Sequence, residues 1–309
     1  MTEPARNRGT VHRTEIGAPA GLVYGLLADA PQWPLYLPDA VHVERLPCDG
    51  PGERLRRWDV TGGVLRPRTL RRLPDAAPRR IAFREEDPAD PDGAPSGSWT
   101  VEDLGAERAL LVLEVDAPVP AGSRSPEAAA ARDGAVAALR EEAGHLARLA
   151  AHWERLDELV LCFEDSVRVD APPQRVYALL ESPGPRPYRV PAVPPDSVRV
   201  RLPGRGLVVH KQPRTPAPLA VHTGVWTVAD DGAGATLLTS RHGVLLQAGP
   251  VTGLFGPDAT SETVRRHVRR TLGRRSAAVM EQVRRYAEEE WRQQQEEESR
   301  QRDARWRVA

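Results

Sequence analysis

The chain has 309 residues, 40% of them hydrophobic, with 43 basic side chains balanced by 43 acidic ones. This length suits two domains of roughly 150 residues each, and a net charge of zero provides no global field that would favour nucleic acid or an anionic membrane. The sequence contains no signal peptide or membrane span, and Cys48 and Cys162 lack the spacing of a disulfide framework or a zinc site, so composition predicts a cytoplasmic protein that binds no metal.

The first half of the chain is predicted to form one domain that begins with a strand and ends with a long helix. Residues 1–10 are polar and predicted to be disordered, and a strand follows from Val11 to Ile16. Ala18 and Pro19 open a short helix, after which segments rich in Val, Leu, Thr and Trp alternate with Pro/Gly turns, as antiparallel strands do. The apolar stripe of the closing helix has a spacing of seven residues, at Leu139, Leu146, Trp153 and Val160. We therefore predict a first domain over residues 11–160.

The second half repeats this order. The pattern Ala-Pro-x-x-x-Val-Tyr-x-Leu-Leu beginning at Ala18 recurs 153 residues later at Ala171. A second pattern, Gly-x-Trp-Thr-Val beginning at Gly97, recurs 127 residues later at Gly224. Self-similarity of this kind predicts two copies of one domain, with the second copy 26 residues shorter between the two landmarks.

The shortened second domain is predicted over residues 161–292. Its missing residues fall between Ser182 and Ser197, where the first copy has a short helix and two strands, so we expect a smaller sheet whose cavity is open, covered by a neighbour, or absent. The tail, residues 293–309, is highly charged and is predicted to be a frayed helix or disordered.

Each copy thus runs through a strand, a short helix, several strands and one long helix. This order predicts an α+β fold with antiparallel sheets rather than alternating parallel units. We expect two tandem domains, each an antiparallel sheet wrapped on a long C-terminal helix, with room for a cavity between sheet and helix.

The opening segment, Ala18 to Pro38 with its Trp-Pro-x-Tyr-x-Pro ending, resembles the polyketide cyclase branch of the Bet v 1-like, START-related superfamily. The second half, with Phe163-Glu-Asp-Ser-Val-Arg-Val, then His222-Thr-Gly-x-Trp-Thr-Val and Ser240-Arg-His, is similar to didomain aromatase/cyclases of bacterial type II polyketide synthases. The resemblance covers roughly residues 11–290. It implies two tandem helix-grip domains, the second truncated.

The resemblance implies an enzyme that closes the first ring of a poly-β-ketone by an aldol reaction and dehydrates it to an arene. It implies no cofactor, and as partners the acyl carrier protein and other polyketide synthase components, with no nucleic acid or membrane. Two alternatives stay open: a non-catalytic protein that binds or shields a hydrophobic molecule, since the superfamily contains such binders, and a scaffold within the synthase.

The resemblance also implies a cavity arginine two residues after a serine or threonine on an inner strand. The matches are Thr69-x-Arg71 and Ser197-x-Arg199, and alternate residues of a strand share one face. Because arginine stays protonated in proteins, we expect Arg71 and Arg199 to anchor and polarise ketone or enolate oxygens. The alternative is an arginine on the solvated face of the sheet, which suits Arg199 because its flanking valines could face inward instead.

Other candidate site residues are polar or aromatic. Tyr36 could donate a phenolic hydrogen bond while Trp33 shapes the cavity mouth. His222 and His242 could exchange protons near neutral pH, although a lone histidine often has a structural role.

Three further tryptophans, Trp58, Trp99 and Trp226, could line the cavities and bind substrate, because aromatic faces pack well on a flat arene; core packing is the alternative. A basic cluster could meet an acidic carrier protein or could be a solvated strand face with no partner. Its members are Arg66, Arg68, Arg71 and Arg72.

Overall fold

The computed structural model describes residues 9–86, 94–116, 126–181, 192–194, 196–249, 255–256 and 259–308. The chain divides into two compact units, Met1–Leu156 and Asp157–Ala309. In the part of the chain that the structure describes, every helix is too short or too polar to cross a membrane.

The first unit is a seven-stranded antiparallel sheet with a long helix packed against it. Its strands are β1 (Thr10–Ile16), β2 (Ala40–Leu46), β3 (Glu53–Thr61), β4 (Val64–Asp75), β5 (Arg80–Glu86), β6 (Ser96–Gly105) and β7 (Arg108–Asp116). Its helices are α1 (Ala20–Ala28), α2 (Trp33–Tyr36) and α3 (Pro126–Ala150). The strands lie in the order β1-β7-β6-β5-β4-β3-β2, so each strand from β2 to β7 pairs with its sequence neighbour.

The second unit has the same plan with a smaller sheet. A single helical turn, α4 (Leu156–Leu159), precedes it. Its strands are β8 (Val160–Val169), β9 (Val198–Leu202), β10 (Leu207–Gln212), β11 (Leu219–Asp230) and β12 (Thr236–Leu246). Its helices are α5 (Pro173–Glu181) and α6 (Ser261–Val308). The described strands lie in the order β8-β12-β11-β10-β9.

The predicted fold class is confirmed, including the truncation of the second copy. The repeated tryptophans, Trp99 and Trp226, lie on β6 and β11, so β9 to β12 correspond to β4 to β7. The second sheet therefore has no described counterpart of β2 and β3. The segment between Ser182 and Ser197, where these strands are missing, lies largely outside the described residues.

The end of the first long helix differs from the prediction, while the tail adopts the helical one of its two predicted alternatives. The first long helix ends at Ala150, and Val160, assigned by its spacing to that helix, begins β8 instead. The charged tail from residue 293 is helical up to Val308 as the end of α6. The predicted disorder of residues 1–10 falls mostly outside the described residues, and β1 begins at Thr10.

The core of the second unit is divided into two apolar clusters by polar side chains. Along β12, Leu238 belongs to one cluster and Val244 to the other. Along α6, Val268 and Val279 likewise belong to different clusters. Five side chains that we call the polar layer lie near the middle of this sheet and helix: Gln212, His222, Ser240, His242 and Ser276.

Candidate active site

A hollow in the first unit lies between the sheet and α3 and encloses about 580 Å³, part of it open to solvent. Most of its wall is apolar: Leu27, Trp33, Leu70, Ile81, Phe83, Pro95, Trp99, Ala135 and Leu139. Its charged members are Arg57, Arg68, Arg72, Glu85 and Glu142. An apolar pocket with a few convergent charged groups is the usual form of a small-molecule site.

Period-two alternation places these side chains on the inner face of the sheet. On β4, Arg68, Leu70 and Arg72 line the hollow, and on β5 the wall is formed by Phe83 and Glu85 two residues apart. Successive side chains of a strand point to opposite faces. Burial of Leu70 therefore turns Arg68 and Arg72, two positions before and after it, toward the same inner face.

Arg57 is buried, with 2% of its surface exposed, and two carboxylates hold it. Its Nη2 donates to Glu142 Oε1 at 2.6 Å, and its Nε donates to Asp59 Oδ1. Asp59 Oδ2 also accepts from Nε and Nη2 of Arg68, at 3.0 and 2.8 Å. Burial alone would lower the pKa of Arg57, but Glu142 and Asp59 outweigh it and raise this pKa above its ordinary value. The guanidinium therefore stays charged inside the domain.

Arg72 is buried to the same degree but is less completely paired. Its Nη2 donates to the carbonyl oxygen of Leu27 at 3.0 Å, and the same nitrogen lies 3.5 Å from Glu53 Oε1. Its Nη1 is buried and has no hydrogen-bond partner among the described residues. Burial lowers the pKa of Arg72 to about 10, so the side chain is still cationic at neutral pH. A buried donor without an acceptor is costly, and a ligand oxygen would relieve that cost.

Trp33 joins the two buried arginines. The guanidinium carbon of Arg72 lies 4.7 Å from the centroid of its ring, and that of Arg57 lies 5.2 Å away. Both distances are within the range of cation–π attraction. The indole thus fixes the two cations at the wall of the hollow.

The predicted placement of Arg71 and Thr69 in the cavity is wrong. Arg71 points to the outer face of β4, where half of its side chain is exposed and its Nε donates to Glu86 Oε1 at 3.4 Å. The two residues do share a face, as predicted, but burial of Leu70 turns that face outward. Arg68 and Arg72, one position out of phase, line the hollow instead. The predicted basic cluster is consequently split between the two faces of the strand.

Only some of the aromatic candidates of the first unit line the hollow. Trp33 and Trp99 line the hollow. Trp58 is buried on the face of β3 opposite Arg57, where its ring lies 5.2 Å from that of His42, so the predicted cavity contact of Trp58 is wrong. Tyr36 ends α2, is partly buried, and is not among the residues that line the hollow.

In the second unit the structure brings His222 and His242 together. Their rings stack at 5.2 Å, and a hydrogen bond of 2.9 Å joins His222 Nε2 to His242 Nδ1. The chain of contacts continues from His222 Nδ1 to Gln212 Oε1 at 2.6 Å and from His242 Nε2 to Ser276 Oγ at 2.6 Å. Ser240 Oγ lies 3.2 Å from Ser276 Oγ. The polar layer is therefore a continuous hydrogen-bonded chain.

Burial keeps these imidazoles neutral. It lowers the pKa of His222 to about 3, with His242 and Arg275 adding to the effect. It also lowers the pKa of His242 to about 4, with contributions from Arg269 and Arg275. A neutral imidazole offers one donor and one acceptor, which is what a hydrogen-bonded chain of this kind requires.

Of the other candidates of the second unit, Arg199 and Trp226 lie on the same sheet, and Ser197 directly precedes β9. Arg199 is opposite His210 in the register of β9 and β10, and the buried Ser197 Oγ has no partner among the described residues. Trp226 packs in an apolar cluster, where its Nε1 donates to the carbonyl oxygen of Ala192 at 3.0 Å. This position matches the core-packing alternative for Trp226.

Sequence reasoning did not name Arg57, Glu85 or His210, and it placed Arg72 in a basic cluster but not in the cavity. A signal for the three residues of the first unit was present, because the buried apolar residues Leu55, Leu70 and Ile81 set the inward phase of β3, β4 and β5. His210 is recognisable only in the fold. Its ring covers Gly224 so closely that a Cβ there would lie 2.1 Å from its Cε1.

The sequence is similar to those of known proteins of polyketide biosynthesis. The profile of a family described as polyketide cyclase/dehydrase and lipid transport matches residues 8–151. The actinorhodin polyketide synthase bifunctional cyclase/dehydratase of Streptomyces coelicolor is 30% identical, with 91% of this chain and 96% of that protein covered. The granaticin polyketide synthase bifunctional cyclase/dehydratase of Streptomyces violaceoruber is 29% identical, with 88% and 93% covered.

Solved structures give the same result for both units. The didomain aromatase/cyclase BexL superposes with a TM-score of 0.77 at 30% identity, covering 91% of this chain and 99% of BexL. The didomain aromatase/cyclase StfQ from the steffimycin biosynthetic pathway also superposes with a TM-score of 0.77, at 26% identity. Since the similarity spans nearly the whole length of these relatives, the chain belongs to the didomain aromatase/cyclases, the bifunctional cyclase/dehydratases of polyketide biosynthesis, and is an enzyme of that class.

Proposed function

We propose that the hollow of the first unit folds a poly-β-ketone held on an acyl carrier protein, closes its first ring and dehydrates that ring to an arene. The observation that carries this proposal is the pair of buried arginines, Arg57 and Arg72, on a largely apolar wall, with Arg72 Nη1 left without a partner among the described residues. Cations of this kind suit ketone and enolate oxygens.

The first task of such a site is conformational. A poly-β-ketone is flexible and reactive, so one folded conformer must be held with the two reacting carbons adjacent and bulk water excluded. The apolar wall provides the exclusion, and the rings of Trp33 and Trp99 provide flat surfaces for the folded chain and the arene.

The second task is electrostatic. Aldol closure develops negative charge on an enolate oxygen and then on an alkoxide, and preorganised cations aimed at those oxygens lower both barriers. Arg72 binds a ketide oxygen through Nη1 in this proposal, with Arg68 as a second cation at the wall. Arg57 is fully engaged by Asp59 and Glu142, so its role is to hold the wall together.

The second unit has a different role in this proposal. The histidines His222 and His242, for which proton exchange was predicted, are neutral partners in the polar layer, and that layer holds the sheet on α6. Arg199 lies on β9 of the same sheet and Ser197 directly precedes that strand, and we assign both a structural role rather than a catalytic one.

The carrier protein and the other synthase components are proposed partners, supported by the relatives that act in polyketide synthases. Copurification of the carrier protein with the full chain tests this partner. We also propose a cytoplasmic location, which suits the unpaired Cys48 and Cys162.

Neighbouring arginines on opposite faces of β4 provide the test of the hollow. In a reaction with purified minimal synthase components, Arg72→Ala should lower arene formation about 10-fold or more, because a buried charged partner of the oxygens is lost, and shunt products should rise. Arg71→Ala is the matched control and should keep the product distribution of the unmodified enzyme. Equal losses in the two variants, or no loss in Arg72→Ala, would contradict the proposed site.

A further inference from the structure

Glu85 is a carboxylate in the wall of the otherwise largely apolar hollow. It lies on β5 opposite Leu70 of β4, and only 22% of its side chain is exposed. Its backbone N–H donates to the carbonyl oxygen of Pro95 at 2.9 Å, which holds the end of β5 in place. Because Glu85 lines the hollow, its carboxylate lies where the proposed ketide would bind.

Among the acids near the hollow, Glu85 is the least engaged. Asp59 accepts hydrogen bonds from Arg57 and Arg68, and Glu142 accepts one of 2.6 Å from Arg57. Among the described residues, Glu85 has one longer charged contact, 3.5 Å from its Oε2 to Arg68 Nη1. A proton can reach Glu85 without the loss of a short ion pair, which is not true of the other two.

The charged groups around Glu85 come from β3 and β4. Burial raises the pKa of this carboxyl, and Asp59 raises it further, while Arg68 and Arg57 lower it. A carboxylate whose pKa is raised is a stronger base, and general bases work best when their pKa approaches the working pH.

We propose that Glu85 is the catalytic residue that carries protons during ring closure and dehydration. This inference rests on the proposed function of the hollow. Arg68 and Arg72 lie on the adjacent strand and stabilise the oxygens while Glu85 handles the hydrogens.

A single proton-carrying carboxyl group is enough to balance the protons in both stages of the reaction. The Glu85 carboxylate takes a proton from a methylene between two carbonyls, and the enolate carbon forms the new C–C bond to a ketone carbon. The resulting alkoxide takes that proton back, which restores the carboxylate. In the second stage the Glu85 carboxylate takes a further methylene proton, and the electrons of that C–H bond form the new C=C bond. The C–O bond of the alcohol then breaks, and the departing hydroxide takes the proton from Glu85 and leaves as water. No oxidant or reductant is consumed.

The test compares two adjacent glutamates that point to opposite faces of β5. Glu85→Gln should lower arene formation about 100-fold, since general acid–base groups contribute about 10²–10⁴-fold. Its affinity for the aromatic product isolated from the wild-type reaction, followed by tryptophan quenching, should stay within about 2-fold. Glu86→Gln changes an outer carboxylate that pairs with Arg54 and Arg71, and it should leave arene formation unchanged.

A second variant covers the case in which Glu85→Gln does not fold. Glu85→Asp keeps a proton carrier at a shorter reach, so its activity should lie between wild type and background. Like the wild type, it should lose rate at acidic pH, because protonation removes the carboxylate base. Unchanged arene formation in Glu85→Gln, or equal losses of product affinity and arene formation, would overturn the inference. If Arg72→Ala abolishes arene formation while Glu85→Gln does not, the proposed function stands and the role of Glu85 falls.

Discussion

Buried charge around Asp59 in the first unit is stabilised by close pairing of individual residues. Asp59 illustrates this, because its two oxygens serve both Arg57 and Arg68 and only 3% of its side chain is exposed. A buried ion pair contributes little net stability compared with an apolar pair, but removal of one partner leaves an uncompensated charge. The cluster is therefore sensitive to single changes.

We predict that Asp59→Asn destabilises the protein by roughly 3–5 kcal/mol, the usual cost of breaking a buried pair. Chemical unfolding of the full chain measures this change in the free energy of unfolding. The matched control is Glu15→Gln, which removes an exposed pair with Arg108 and should cost less than about 1 kcal/mol. Similar costs for the two variants would show that the buried cluster is not a source of stability.

The difference between Arg71 and Arg72 shows how far sequence reasoning reaches at this scale. Alternation correctly predicts that Thr69 and Arg71 share a face, but it does not say which face is inner. That choice depends on Leu70, the one large apolar side chain near the centre of an arginine-rich strand, and on α3 on the other side of the hollow. A one-residue shift in phase exchanges every side chain between core and solvent.

Individual elements were more predictable than individual side chains. The loss of two strands from the second copy follows from the different spacings of the two repeated patterns, and it agrees with the seven and five strands that the structure describes in the two sheets. Helix ends were less predictable, because the seven-residue apolar spacing continues past Ala150 to Val160, which lies in a strand. Spacing alone cannot tell a helix from the short turns that follow it.

The histidines of the polar layer, which lies between the second sheet and α6, make the stability of this unit depend on pH. Folded His222 and His242 have pKa values lowered to about 3 and about 4, below the ordinary value near 6.5. The unfolded chain therefore binds protons first as the pH falls, and stability declines below about pH 6.5 by about 1.4 kcal/mol per pH unit for each histidine. Arg269 is paired with Asp165 and Arg275 is close by, so protonation would also add cations beside existing ones.

We predict that β11 and β12 lose protection from hydrogen exchange between about pH 6.5 and about pH 4.5. Hydrogen exchange with mass spectrometry of peptides from Leu219–Asp230 and Thr236–Leu246 follows this loss. His222→Gln keeps a hydrogen-bonding side chain but cannot titrate, so its protection should depend less steeply on pH. A pH-independent protection in the unmodified chain would refute the assignment of neutral, buried histidines.

At the scale of the whole molecule, two copies of one plan have different interiors. The first unit retains β2 and β3 and has a hollow with charged side chains, while the second has a hydrogen-bonded layer between its sheet and α6. The duplication and the class of the enzyme could be predicted from the repeated patterns and their resemblance. The division of roles could not, because it depends on which side chains face inward in each sheet.

The most direct test of this division is a crystal structure of the full chain soaked with the aromatic product of the wild-type reaction. The product should lie in the hollow of the first unit, with a ring against Trp33 or Trp99 and an oxygen within hydrogen-bonding distance of Arg72 Nη1. Product bound instead beside His222 and His242 in the second unit, with the first hollow unoccupied, would contradict the account.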